Sequence, residues 1–431
     1  MNILLIAQNY HPYVGGVEVH ARQVAQELST SHRVEVVAMT FVAAPAGRMA
    51  VLHTSLMAPR ADGYQDGLVP VRALTPSTVD RLRMLPIAMR LLPPLRRYAD
   101  HAVARFGYRF YRSVYLPRLR RMIKETRPDV IHSMAGGYLG WAAQAAAIEL
   151  GVPFVCTPFA HPRQWGDGPD DIAYYRRADA VIGLVPSDAD YLASLGVPRE
   201  KLHVIGVSPE LPPSVNPALF RRRHGLRDGP IVLYVGRMVP HKGAAAVLTA
   251  APEVWKTCPE SQFVFIGHAN QAEAAAFERC DQRIRFLGKV SLQEKADALA
   301  ACDIFCMPSI SEILPTVYLE AWSYSKPVVG GQARGLKELV EGNGGGIVAS
   351  QDPRDVAAGV TRLLRDDVLR ADMGRRGKTV VDASYSVPAV VGALLDLYRR
   401  AGTGVSTTGR DARDPCTLPL TDALAIATGT S

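Results

Sequence analysis

Two carboxylates, Glu312 and Glu320, stand in the run Pro308-Ser309-Ile310-Ser311-Glu312-Ile313-Leu314-Pro315-Thr316-Val317-Tyr318-Leu319-Glu320-Ala321-Trp322. Pro315 suits the first turn of a helix, where its missing N–H costs nothing. Glu312 then lies in the loop ahead of that helix and Glu320 about one and a half turns inside it. The helix start at Thr316 and Val317 presents free amides, which favour phosphate, while carboxylates accept hydrogen bonds from sugar or ribose hydroxyls. One ligand carrying both groups accounts for the whole arrangement. An acidic residue answering a helix dipole accounts for Glu312 but not for Glu320 within an apolar run.

A second cluster is cationic. The apolar run Val232-Leu233-Tyr234-Val235 ends in Gly236, and Arg237 and Lys242 follow on one loop before Gly243. Arg offers a bidentate fork and Lys a point charge, a pair able to clamp a diphosphate; solvated loop cations are the plainer alternative. Near the N-terminus, Gly15-Gly16 separates an apolar run from a helical stretch. Such a turn lets the backbone approach an anion at the helix start, or is simply a tight turn. It is not GxGxxG, so the dinucleotide fingerprint is missing where it belongs and an NAD-dependent dehydrogenase is disfavoured.

These groups need a scaffold. Apolar runs rich in Val and Ile, without polar alternation, predict buried parallel strands at Ile3–Ala7, Val34–Ala38, Val130–Ser133, Phe154–Thr157, Ala180–Leu184 and Leu202–Ile205. A second series follows at Ile231–Val235, Phe263–Ile266, Ile284–Leu287, Ile304–Met307, Pro327–Gly330 and Gly346–Val348. Helical spacing between strands, as in Val17–Leu28, makes this an α/β chain with mainly parallel sheets. Between the series, Gly206, Pro209, Pro212, Pro213 and Pro217 mark a joint. The expected organisation is an N-terminal Rossmann-like domain (1–205), a linker (206–217), a second Rossmann-like domain (218–385), a terminal helix (386–400) packing back on the first domain, and a disordered tail (401–431).

Of 431 residues, 48% are hydrophobic and 21% charged, ordinary for a folded soluble chain. No basic leader precedes the first apolar run, so a cytoplasmic location is the expectation. The six cysteines form no CxxC pair, and packing is the expected role. Asp170-Asp171 reads as helix capping, and no persuasive metal cluster is present. The net charge of +8 is concentrated between Arg81 and Arg127, where thirteen Arg or Lys face Asp100 and Glu125. One basic surface argues against a general nucleic-acid binder. There Leu85, Ile87, Met89, Leu91, Leu92 and Leu95 interleave with arginines, and Phe106, Tyr108, Phe110, Tyr111 and Tyr115 follow. Basic heads on apolar bodies suit an anionic membrane surface; core-packed helices with solvated arginines fit the same pattern.

Taken together, Gly15-Gly16, Thr157-Pro158-Phe159-Ala160-His161-Pro162, Gly236-Arg237 with Lys242-Gly243, and the E-x7-E pair Glu312/Glu320 give a chain that resembles glycosyltransferase family 4 over residues 1 to 400. The resemblance implies the GT-B fold, two Rossmann-like domains facing across a cleft. It also implies a retaining, metal-independent hexosyltransferase using a UDP- or GDP-sugar and a saccharide or lipid-linked acceptor, with no cofactor. By the same resemblance Gly15, Gly16, Gly236, Thr316 and Val317 line the donor site, and Arg237 and Lys242 neutralise the diphosphate. Glu320 would hold the ribose, Glu312 the transferred sugar, and His161 would stand beside the reacting sugar. Related enzymes use this part of the N-terminal domain for lipid-linked or polysaccharide acceptors, so segment 81–127 is the candidate acceptor side and the candidate contact with an anionic membrane, on the inner face of the cell membrane. Two departures touch the donor pocket: Glu312-Ile313-Leu314-Pro315 replaces E-x-F-G, and Ile205-Gly206-Val207-Ser208 replaces the usual interdomain link. A catalytically silent relative that binds glycan or membrane is the alternative.

Overall fold

A computed structural model describes residues 1–13, 15–40, 63–74, 77–80, 82, 113–134, 137–162, 166–278 and 280–402. Among these, the first sheet has eight strands: β1 (Asn2–Asn9), β2 (Arg33–Thr40), β3 (Tyr64–Asp66), β4 (Val69–Ala73), β5 (Val130–Met134), β6 (Phe154–Thr157), β7 (Ala180–Gly183) and β8 (Leu202–Val204), in the order β3-β4-β2-β1-β5-β6-β7-β8. All pairs are parallel except β3–β4, joined through Asp66-Gly67. The second sheet contains β9 (Ile231–Val235), β10 (Gln262–Ile266), β11 (Ile284–Gly288), β12 (Ile304–Met307), β13 (Val328–Gly330) and β14 (Gly346–Val348), ordered β11-β10-β9-β12-β13-β14 and wholly parallel.

The expected strands are all present within a residue or two. Ile3 to Ala7 and Ile304 to Met307 are buried along their whole length, as strands covered on both faces must be. In both sheets the order reverses beside the first strand, between β1 and β5 and between β9 and β12. A crevice opens at such a reversal, outside the carboxyl ends of the strands. The loops after β1, β9 and β12 carry Gly15-Gly16, Arg237 to Lys242, and Glu312. Topology alone therefore gathers the motif residues.

The structure corrects several expectations. Pro217, assigned to the linker, opens the helix Pro217–Arg223, where Asn216 caps it by accepting from the Leu219 amide at 2.9 Å; Pro is well suited to that first position. Pro315 sits at the N-cap of Thr316–Ser323 rather than inside its first turn. Ala401 and Gly402, assigned to the tail, finish the helix Val387–Gly402, while 403–431 lie outside the described residues. Tyr115, expected on a membrane-facing surface, is fully buried with Val114, Leu119, Met122 and Ile123 on the helix over 113–126. Two of its arginines are paired within the fold: Arg118 with Asp80 at 2.8 Å and Arg120 with Glu149 at 2.5 Å. Most of the basic segment before it, Arg81 and 83–112, lies outside the described residues. Cys156, Cys258, Cys302 and Cys306 are buried, but Cys280 is only partly so.

The stretch Asp367–Gly402 is long and apolar enough by composition to cross a membrane. It is nevertheless broken where Ser386 is extended, and Val390, Val391, Leu394, Leu397 and Tyr398 are buried against the first sheet beside Ile3, Leu5 and Val34. Each such side chain stabilises the contact by about 1.5–3 kcal/mol. The last helix thus returns to the first domain and, with the linker, makes a two-stranded connection between the halves.

Candidate functional site

The centre of the site is an ion pair between two loops of the second domain. Lys242 Nζ lies 2.6 Å from Glu312 Oε1, both side chains being largely shielded from solvent. The loops are locked together through one carbonyl. His241 O accepts from the Ile310 amide at 2.9 Å, Ser309 Oγ at 3.1 Å and Gln351 Nε2 at 3.2 Å. Gly243 makes the approach possible. It adopts φ +80°, and a Cβ there would stand 2.8 Å from both Cγ and O of Pro308, so any side chain is both strained and blocked. Tyr318 Oη donates to Met307 O at 2.5 Å and accepts from the Gly331 amide at 3.2 Å, which fixes the helix Thr316–Ser323 under the loop. Thr316 and Val317 open that helix and are partly buried.

Gly236 follows β9, and Arg237 after it is exposed, its carbonyl accepting from Tyr234 Oη at 2.9 Å. Glu320 lies deeper. It is 4% exposed, and its Oε2 is 2.7 Å from Lys295 Nζ on the helix Leu292–Ala301. Burial pushes its carboxyl up from the ordinary range, and Lys295 pulls the other way. Glu320 therefore sits several residues behind Glu312, with a cation of its own.

Across the cleft, His161 follows β6. Burial lowers its imidazole from the usual value, with Glu312 raising it and Lys242 lowering it. The charges of those two second-domain residues are thus felt at a residue of the first. His161, Ser187, Asp188 and Tyr191 from the first domain, with Ser311, Glu312 and Arg334 from the second, line a cavity of about 530 Å³. Arg334 is exposed and stands over the Tyr191 ring at 5.5 Å. A second cavity of about 560 Å³ lies behind the hinge, lined by Gly206, Glu338 and Tyr385 among others; it contains none of the motif residues.

Gly15 and Gly16 begin the helix Gly16–Ser29 after β1. Gly15 is extended, and the Glu18 carboxylate folds back to where a Gly15 side chain would stand, with Asn9 Nδ2 donating to Glu18 Oε1 at 3.2 Å. An acidic group therefore already occupies part of this helix entrance. Asp170 and Asp171 lie in the first turn of Pro169–Arg177. Among the described residues, no three His, Cys, Asp or Glu side chains converge as a metal site.

Sequence reasoning grouped Arg237, Lys242, Glu312 and His161; of these, His161 and Glu312 line one cavity and Lys242 is paired with Glu312, while Arg237 is exposed on the loop after β9. It missed Lys295, Arg334, Asp188 and Tyr191. Arg334 was findable as a cation in the loop after β13, beside the same strand reversal.

Comparison with known proteins agrees with this architecture. Residues 15–208 match the family model described as "Glycosyl transferase 4-like domain", and residues 229–366 match "Glycosyl transferases group 1". The chain is 32% identical over 312 residues to a GDP-mannose-dependent monoacylated alpha-(1-6)-phosphatidylinositol monomannoside mannosyltransferase of Corynebacterium glutamicum, spanning 64% of this chain and 80% of that protein. It is 26% identical over 337 residues to the GDP-mannose-dependent alpha-(1-6)-phosphatidylinositol monomannoside mannosyltransferase of Mycobacterium tuberculosis, spanning 70% and 86%. Among solved structures, Anabaena Alr3699/HepE in complex with UDP and glucose superposes with a TM-score of 0.65 at 18% identity, over 93% of this chain and 99% of that one. That likeness is one of fold.

Proposed function

Because the chain belongs to the group 1 glycosyltransferases of GT-B type, we propose that it moves a hexose from a nucleotide-diphosphate sugar to a lipid-linked or saccharide acceptor, with retention and without a metal. The Lys242–Glu312 pair at 2.6 Å carries this reading. It presents one cation and one carboxylate at the mouth of a cleft, the two charges that a sugar diphosphate would exchange partners with. Lys242 and Arg237 would take the phosphates, stabilising negative charge that grows as the leaving group departs. Glu312 would accept from hydroxyls of the sugar, and Glu320 from those of the ribose. Gly15, Gly16, Gly236, Thr316 and Val317 would supply backbone approach. In this reaction the bond from the anomeric carbon to the phosphate oxygen breaks as the acceptor oxygen bonds that carbon. The acceptor's proton passes to the departing phosphate, with His161 beside the sugar.

Two of the relatives above are named as GDP-mannose-dependent, which favours GDP over UDP as the carrier and a glycolipid as the acceptor. The arginine-rich composition of 81–112 supports one further part of this reading, a cytoplasmic enzyme held at an anionic membrane surface.

Thermal denaturation with GDP, UDP and ADP tests the reading. A ligand of the folded state stabilises by about 2.7 kcal/mol at one hundred times Kd. GDP should stabilise the protein, and Lys242→Ala should weaken that binding tenfold or more, since hydrogen bonds to charged groups contribute about 1.5–3 kcal/mol. A folded protein unmoved by every nucleotide diphosphate would overturn the donor site.

A further inference from the structure

We propose that Lys295 is a positioning residue for the donor: it holds the buried Glu320 carboxylate as an anion, oriented for the hydroxyls of a nucleotide ribose. This rests on the reading of Glu320 given above.

The argument starts from burial. Glu320 is the fifth residue of the helix Thr316–Ser323 and is 4% exposed. An anion so far from water persists only with a partner. The groups that face it are Lys295 Nζ, 2.7 Å from Oε2, Glu210 on the linker, and the Tyr324 phenol just past its own helix. Glu210 adds negative charge and the phenol none that is positive, so Lys295 is the group offsetting burial. Without it, the carboxyl would take up a proton, and a protonated carboxyl has lost half of its capacity to accept from a pair of ribose hydroxyls.

The ammonium is also held in place. Ser291 caps the Lys295 helix, accepting from the Glu294 amide at 3.1 Å. Gln293 Nε2 donates to Ser214 O at 2.8 Å, and the Asn216 amide donates to Asp297 Oδ1 at 2.6 Å. Both contacts tie this helix to the linker between the domains. Lys295 therefore reaches Glu320 from an element fixed to the hinge. Its ammonium is paired with Oε2, an oxygen sealed from water, which leaves Oε1 as the oxygen for the donor.

The test is calorimetric titration of GDP and UDP into the full chain from pH 6 to 9, with wild type and variants compared as ratios of Kd at each pH. Lys295→Met should bind about tenfold more weakly at pH 7, and the ratio should shrink as pH rises and the carboxyl ionises unaided. Lys295→Arg should stay within about threefold, while Glu320→Gln should bind weakly at every pH. Lys295→Gln gives the same comparison should the Met variant misfold. A Lys295→Met or Lys295→Gln ratio near one throughout overturns the proposal. So does tighter binding, which would make Lys295 a competitor of the donor. A constant tenfold loss with no pH dependence also overturns it, since packing alone gives that result. Wild type that binds neither nucleotide instead sinks the functional reading, so the two failures are distinguishable.

Discussion

Two imidazoles behind the His161 loop are sealed from water. His132 is fully buried on β5, with Nδ1 2.6 Å from Tyr398 Oη and Nε2 2.8 Å from Thr157 Oγ1. His20 is buried on the helix Gly16–Ser29 and stands edge-on to Phe159 at 6.1 Å. Phe159 itself has φ +51°, uncommon for an aromatic residue. Burial pushes His132 down to about 3 and His20 to about 4, from an ordinary 6.5. Both are neutral in the fold at pH 5, while their unfolded counterparts take up protons below 6.5. Stability is therefore whole above pH 6.5 and falls as pH drops below it, by about 2 kcal/mol per histidine between pH 7 and 5. Asp171 and Asp188, raised to about 6 by burial, act in the opposite sense, because the fold protonates them first. The clean measurement is thus a difference. Urea denaturation at pH 7 and 5 should show wild type losing about 2 kcal/mol more than His132→Gln. Equal losses would mean that His132 charges within the fold.

At the scale of elements, the docking of Val387–Gly402 is set by the same contact. Its apolar stripe supplies adhesion, and Tyr398 supplies the hydroxyl that meets His132 Nδ1. Tyr398→Phe keeps the packing and strands a buried ring nitrogen, a penalty of about 1–3 kcal/mol. Denaturation at pH 7 should read that loss; an unchanged midpoint would mean that Nδ1 finds another partner. Much of this level was legible in the sequence, because strands buried on both faces leave unbroken Val and Ile runs. β3 and β4 were not read. They are short, Pro70 falls inside one of them, and their signal is the Asp66-Gly67 turn with Val69 and Val71 buried between exposed Pro70 and Arg72. Tyr115 misled because arginines between aromatics look alike on a membrane face and on a core helix. The Lys295–Glu320 pair left no trace, since only the packing of two helices makes those residues neighbours. Arg237, Lys242 and Glu312 stood out because each lies on the loop that leaves the carboxyl end of a buried strand.

For the whole molecule, the question is what holds the halves face to face. Gln23 Nε2 of the first domain donates to Pro209 O of the linker at 3.1 Å, on the hinge side. On the cleft side, Arg334 of the second domain lies over Tyr191 of the first, near Asp188. Among the described residues no carboxylate lies within ion-pair distance of Arg334, so its interdomain contact is mainly with a ring face. Such a contact is worth about 0.5–1 kcal/mol at an exposed site and about 2 when desolvated. Neither Arg334 nor Tyr191 belongs to the Lys242–Glu312 loops. Arg334→Ala should therefore leave the Kd for GDP within about twofold. It should slow turnover of the sugar donor about fivefold, equivalent to roughly 1 kcal/mol in the barrier, because fewer molecules present His161 to the bound sugar. Steady-state release of GDP alongside calorimetric titration separates the two terms. A matching loss in GDP affinity would instead place Arg334 on the donor's phosphates, and equal turnover would show that the cleft closes without it.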